Sequence, residues 1–134
     1  MKRKKKKAIL IGLFIIFLFF VLWQGYGIYI HKGNLSFTIC NESSIDSPNI
    51  EIYIDDKKIL DNKLLPIYSF YSMSMSPKNH EVIIKINGDV SQKIKFNTIL
   101  FTNIYVDYQG DKCIDGHGTR FYISISKCPI QFLA

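Results

Sequence analysis

The sequence predicts an all-β fold, a small antiparallel β-sandwich of seven or eight strands, preceded by one N-terminal transmembrane helix. Three observations predict it. An unbroken basic run, residues 2–7, leads into residues 8–30, which hold no Asp, Glu, Lys, Arg or His. Beyond them, short segments alternate apolar and polar residues with period two, the pattern of strands with one buried face. Turn-forming clusters separate these segments, with Ser47-Pro48-Asn49 and Asn87-Gly88 the clearest, and no stretch shows helical periodicity.

The apolar run comes first. At about 1.5 Å per residue a helix over residues 8–30 spans the roughly 30 Å hydrocarbon core, and a helix satisfies its own backbone hydrogen bonds in lipid. Gln24 is the one strongly polar side chain within it. Trp23, Tyr26 and Tyr29 cluster at the far end, where amphipathic rings favour the membrane interface. The positive-inside bias keeps residues 1–7 as a cytoplasmic tail, makes residues 8–30 a signal anchor embedded in membrane lipid, and places residues 31–134 on the periplasmic or extracellular side. A cleaved signal peptide is the competing reading, and Gly25-Tyr26-Gly27 supplies a small-x-small triplet. The length of the run and the lack of an A-x-A site favour the retained anchor. A lipoprotein anchor would need a Cys near the end of the run, and a buried core helix fits poorly with a run apolar on every face.

The formal charge of +6 suggests nucleic acid until it is partitioned. Residues 2–7 hold six of the 17 Lys and Arg residues, and all 11 acidic residues lie beyond residue 30, so the far domain is neutral. A nucleic-acid partner would need a basic face on the folded domain, and the sequence offers none.

Within the far domain, residues 31–34 are a short link and residues 35–40 the first alternating strand. Residues 50–54 alternate again and end in a reversal at Asp55-Asp56-Lys57-Lys58, followed by Ile59-Leu60. Residues 67–75 form a strand with Ser72, Ser74 and Ser76 on its polar side. After the connection at residues 76–80, Val82, Ile84 and Ile86 share one face up to Asn87-Gly88. Ile94 and Phe96 oppose Lys93 and Lys95, residues 98–108 are a β-branched and aromatic run, and Phe121, Ile123 and Ile125 mark the last strand. The inward set is Phe37, Ile39, Ile52, Ile54, Val82, Ile84, Ile86, Phe96, Ile104, Val106, Phe121, Ile123 and Ile125. Such spacing suits two packed sheets of immunoglobulin-like or transthyretin-like kind, with a small barrel as the alternative closure. The strand of residues 50–54 with its acidic turn, then Ser76-Pro77-Lys78-Asn79-His80-Glu81-Val82, resembles PEGA-type and related bacterial surface sandwich modules over residues 50–88. Asp56 and Asn79 stand where glycines are usual. The resemblance implies a surface or interaction domain and carries no catalytic residues.

Three cysteines, Cys40, Cys113 and Cys128, allow at most one internal disulfide. Cys113–Cys128 would close a short loop and Cys40–Cys128 would join two strand ends. The parity of Cys40 and Cys128 differs from that of their strands' apolar residues, which points both away from the core. Asp107, Asp111, Asp115 and His117 are weak candidate metal ligands in a glycine-rich loop. Their spacing matches no calcium loop, and Asp115-Gly116-His117-Gly118 is more economically a turn. His80 is expected in a solvated turn. Asn34 and Asn41 each head an Asn-x-Ser triplet. No catalytic or cofactor-binding motif is present, so neither an enzyme nor a cofactor is expected. The expected role is a membrane-anchored extracytoplasmic binding module with a protein partner in the envelope. The alternatives are a structural subunit of an envelope assembly and a secreted carbohydrate-binding module.

Overall fold

The computed structural model describes residues 2–41, 48–63, 67–86, 88, 90–109 and 121–128. Helix α1 (Lys2–His31) runs through the basic and apolar stretches without interruption. It is long and apolar enough to cross a membrane, and nearly all of its apolar stretch is exposed. The helix stops in a Schellman arrangement: the Gly33 N–H donates to Ile28 O at 3.0 Å and the Lys32 N–H to Tyr29 O at 3.4 Å. Lys32 occupies the left-handed position, at φ 54°, where glycine is the usual residue.

Eight strands follow: β1 (Leu35–Asn41), β2 (Asn49–Ile54), β3 (Lys57–Lys63), β4 (Ile67–Met73), β5 (Asn79–Ile86), β6 (Val90–Asn97), β7 (Thr102–Tyr108) and β8 (Phe121–Ser126). They form two four-stranded sheets, ordered β4-β1-β7-β8 and β3-β2-β5-β6. The second sheet is antiparallel throughout. The first is not, which corrects the expectation of a purely antiparallel fold: β1 pairs β7 in parallel, Leu35 opposite Thr102 through Asn41 opposite Tyr108. Parallel neighbours need a long crossover, and here the whole second sheet, together with β4, lies in sequence between the two strands. The run of residues 98–108 is likewise shortened. Residues 98–101 are a loop, because the Phe101 ring is buried and its N–H turns to α1 instead of a strand.

Both sheets bury one common core. Leu35, Phe37, Ile39, Ile104 and Val106 come from the first sheet, and Ile50, Ile52, Ile54, Val82, Ile84, Ile86 and Phe96 from the second. Leu35, Ile50 and Tyr108 join the inward set read from the sequence, Ile123 and Ile125 are partly buried against it, and the Phe121 side chain is outside the described residues. Strand β1 is buried on both faces, where alternation alone predicted one. Its polar side is satisfied locally: Asn103 Oδ1 accepts from Ser36 Oγ at 2.7 Å and Thr38 Oγ1 at 3.2 Å. The β2–β3 reversal takes positive φ at Asp55 (48°) and Asp56 (65°), as a two-residue type I′ hairpin requires.

Candidate functional site

Three arrangements of side chains stand out, and each rests on residues far apart in sequence. The first joins α1 to the domain. Gln24 and Gly27 are buried. Gln24 Oε1 accepts from the Phe101 N–H at 2.9 Å, while its Nε2 donates to Lys127 O at 3.2 Å. One turn beyond Gly27, the His31 ring stacks on Phe101 at 4.8 Å between centroids. Trp23, Tyr26 and Tyr29 remain exposed. Asn34, in the short link after α1, holds the same junction from the start of β1, its Nδ2 donating to Thr98 O at 3.4 Å. Its Oδ1 accepts from the Met75 N–H and its Nδ2 donates to Met75 O, both at 2.7 Å, while its own carbonyl accepts from the Thr102 N–H. A side chain at Gly33 would place its Cβ 2.2 Å from Met73 O, so only glycine lets the chain pass there.

The second arrangement, at this same end of the sheets, pairs a buried histidine with a half-exposed carboxylate. His80 is 4% exposed, which corrects the expectation of a solvated histidine. Its Nδ1 lies 2.5 Å from Asp55 Oδ2 and its Nε2 lies 2.8 Å from Ser76 O. A carboxylate and a carbonyl both accept, so the full set of bonds forms when both ring nitrogens carry protons. Asp55 Oδ1 also accepts from the Glu81 N–H at 3.0 Å. The hydrogen bond from His80, then that from Glu81, holds the Asp55 carboxyl below the usual carboxylate range. The ring packs against Phe96, and Thr98 Oγ1 donates to Ser76 O at 2.6 Å. An open groove of about 680 Å³ lies over the pair, with Glu81, Lys95 and Asn97 on its walls. The cluster locks the β2–β3 turn to the start of β5. Its inward hydrogen bonds are complete without a ligand.

The third is the outer face of the first sheet. The pairing register aligns Tyr68, Cys40, Asp107 and Tyr122 in one row, and Phe70, Thr38, Tyr105 and Ser124 in the next. Phe70 and Tyr122 stand on the two outer strands and are 59% and 53% exposed. Tyr68 stacks beside Phe70 at 6.2 Å between centroids. Cys40 does point away from the core, yet it is buried under this face. Burial, then the hydrogen bond to Cys40, pushes the Tyr105 hydroxyl's pKa upward, so it stays protonated.

No family model, curated protein or solved structure matches this chain. The resemblance of residues 50–88 to PEGA-type modules has no support beyond its own motif residues.

Of the candidate metal ligands, Asp107 alone is described. Its Oδ1 is buried without a hydrogen-bond partner among the described residues, and Gln109 Nε2 donates to its Oδ2 at 3.4 Å. Asp111, Asp115 and His117 lie outside the described residues, as does Cys113. No group of three metal-ligating side chains forms among the described residues. No disulfide is seen there either: of the two pairings open from the sequence, Cys40–Cys128 is not formed, with Cys40 buried and Cys128 exposed, and Cys113–Cys128 involves a residue outside the described ones. Asn34 and Asn41 are poor glycan acceptors, since the first uses its carboxamide internally and the second is buried.

Sequence reasoning missed Gln24, Asn34 and the His80–Asp55 pair as organising residues. One signal for Gln24 was present. A single carboxamide in an apolar helix needs a hydrogen-bond partner.

Proposed function

We propose that this is a single-pass membrane protein with its N-terminus in the cytoplasm. Its extracytoplasmic β-sandwich would act as a binding module for a protein partner in the same envelope. The immunoglobulin arrangement places its first two strands side by side in one sheet. Here β1 and β2 belong to different sheets, which favours the transthyretin-like kind. The binding surface is the outer face of the first sheet. One observation carries this: outside α1, the exposed large apolar and aromatic side chains among the described residues are Phe70, Ile99 and Tyr122. Two of those three share this face, on outer strands about 14 Å apart at the usual strand spacing. The outer face of the second sheet is instead occupied by ion pairs, Lys58 with Glu51 and Asp61, and Lys93 with Glu81. Exposed aromatics set among mostly uncharged side chains, with Asp107 the carboxylate in their row, are the composition of an interface core, and paired surface charges are that of a solvated face.

A photo-crosslinking amino acid placed at Phe70 or Tyr122 in cells is expected to capture a discrete protein, and one at Lys93 is not. The double variant Phe70→Ala, Tyr122→Ala should lose the partner while keeping its unfolding midpoint within the range of surface substitutions. Capture from Lys93 alone would move the interface to the second sheet. Binding of the domain to a glycan array through the same two rings would favour the carbohydrate-binding alternative.

A further inference from the structure

We infer that the domain is seated in the membrane interface through the residue 98–101 loop, with Ile99 buried among the outer lipid headgroups and upper acyl chains. The inference rests on the anchor reading above and adds a second lipid contact made by the domain itself.

Helix geometry sets the depth. Gln24 lies 17 residues beyond Lys7, about 25 Å along the axis. The hydrocarbon core is about 30 Å thick, and any tilt shortens the span further. With Lys7 at the near headgroups, Gln24 therefore sits about 5 Å short of the far edge of the hydrocarbon, at the level of the upper acyl chains. The loop sits there with it, because Gln24 Oε1 holds the Phe101 N–H and Gln24 Nε2 holds Lys127 O.

Side-chain chemistry agrees with that depth. Ile99 is 67% exposed although the rest of the domain's aliphatic side chains are largely buried among the described residues, and Phe101 is fully covered. Trp23 and Tyr26, at the same level of α1, are exposed rings of the type that favours this layer. The nearby cation does not put a bare charge there. Lys127 Nζ donates to Thr102 Oγ1 at 2.6 Å and also to Asn97 O. Gln24 has its carboxamide oxygen and nitrogen both bonded to domain backbone, so it too tolerates a dry surrounding. Ile99 is thus an apolar side chain presented at the lipid surface by a contact that fixes its height.

The test uses the full chain reconstituted into phosphatidylcholine–phosphatidylglycerol vesicles. Trp23 is the only tryptophan, so in a Trp23→Phe background the variants Ile99→Trp and Phe70→Trp each carry one reporter. The indole at position 99 is expected to show blue-shifted emission and to lose most of it to lipids brominated high on the acyl chain. The indole at position 70 should show neither effect. Red-shifted, unquenched emission from position 99 in chain that still floats with the vesicles overturns the seated loop and leaves the anchor standing. Chain that does not float with the vesicles overturns both.

Discussion

Asp55 and His80 show what a single residue contributes when the fold brings it a partner from 25 positions away. The Asp55 carboxyl is held below its ordinary range by His80 and the Glu81 N–H. A carboxyl with a depressed folded pKa stabilises the protein above the unfolded value of about 3.9, and that contribution is lost as pH falls through the lower folded value. The urea midpoint of the full chain in detergent should therefore fall as pH drops below about 4, and Asp55→Asn should flatten that part of the profile. His80→Ala vacates a buried ring beside Phe96 and leaves the Ser76 carbonyl with one donor fewer. A loss of about 2–3 kcal/mol is expected, read from the same denaturation curves. Gln24 acts in the same way at the helix junction. Gln24→Leu strands the Phe101 N–H and the Lys127 carbonyl, so amide exchange at Phe101 should quicken by the equivalent of about 1–3 kcal/mol.

At the scale of elements, the end of α1 carries a strained residue beside an indispensable one. Lys32 holds a left-handed conformation that costs a side chain more than glycine. Lys32→Gly is expected to raise stability by about 0.5–1 kcal/mol. One position later, Gly33→Ala should lower it by more than that, because its Cβ would overlap the Met73 carbonyl of β4. Thermal melts of the two variants beside the parent chain check both signs. Opposite responses at adjacent residues separate backbone strain from steric contact. The β2–β3 turn has the same backbone requirement, met by Asp55 and Asp56, whose short polar side chains tolerate positive φ better than most. Asp55 then has a second use there, because the turn points its carboxylate at His80.

Across the whole molecule, the parallel β1–β7 pair decides how the chain assembles. Leu35, Phe37 and Ile39 have β4 on one side and β7 on the other, so the first sheet stays incomplete until residues beyond 102 are present. A chain truncated after Leu100 should leave that core face open and be digested rapidly by protease under conditions where the full chain resists. Non-local pairing of this kind also slows folding, and refolding in the millisecond-to-second range is expected by stopped-flow fluorescence. The division of surfaces follows from the same architecture. The first sheet turns aromatic and mostly uncharged side chains outward, with Asp107 among them, the second turns out paired charges, and the loop of residues 98–101 lies against α1.

The sequence by itself determined the helix, most of the strands and the alternating core positions from Phe37 to Val106. These follow from periodicity and local steric preference, which act over a few residues. It also located the reversal at residues 55–58 and the parity that turns Cys40 outward. Tertiary structure decided the rest. Whether Cys40 is exposed or covered, whether His80 meets water or Asp55, and whether Gln24 is an imperfection or an anchor point each depends on a neighbour tens of residues away. The parallel pairing of β1 with β7 belongs with them. Two strands of the same alternating pattern look alike in sequence, and only packing both sheets over one core selects which edges meet and in which direction.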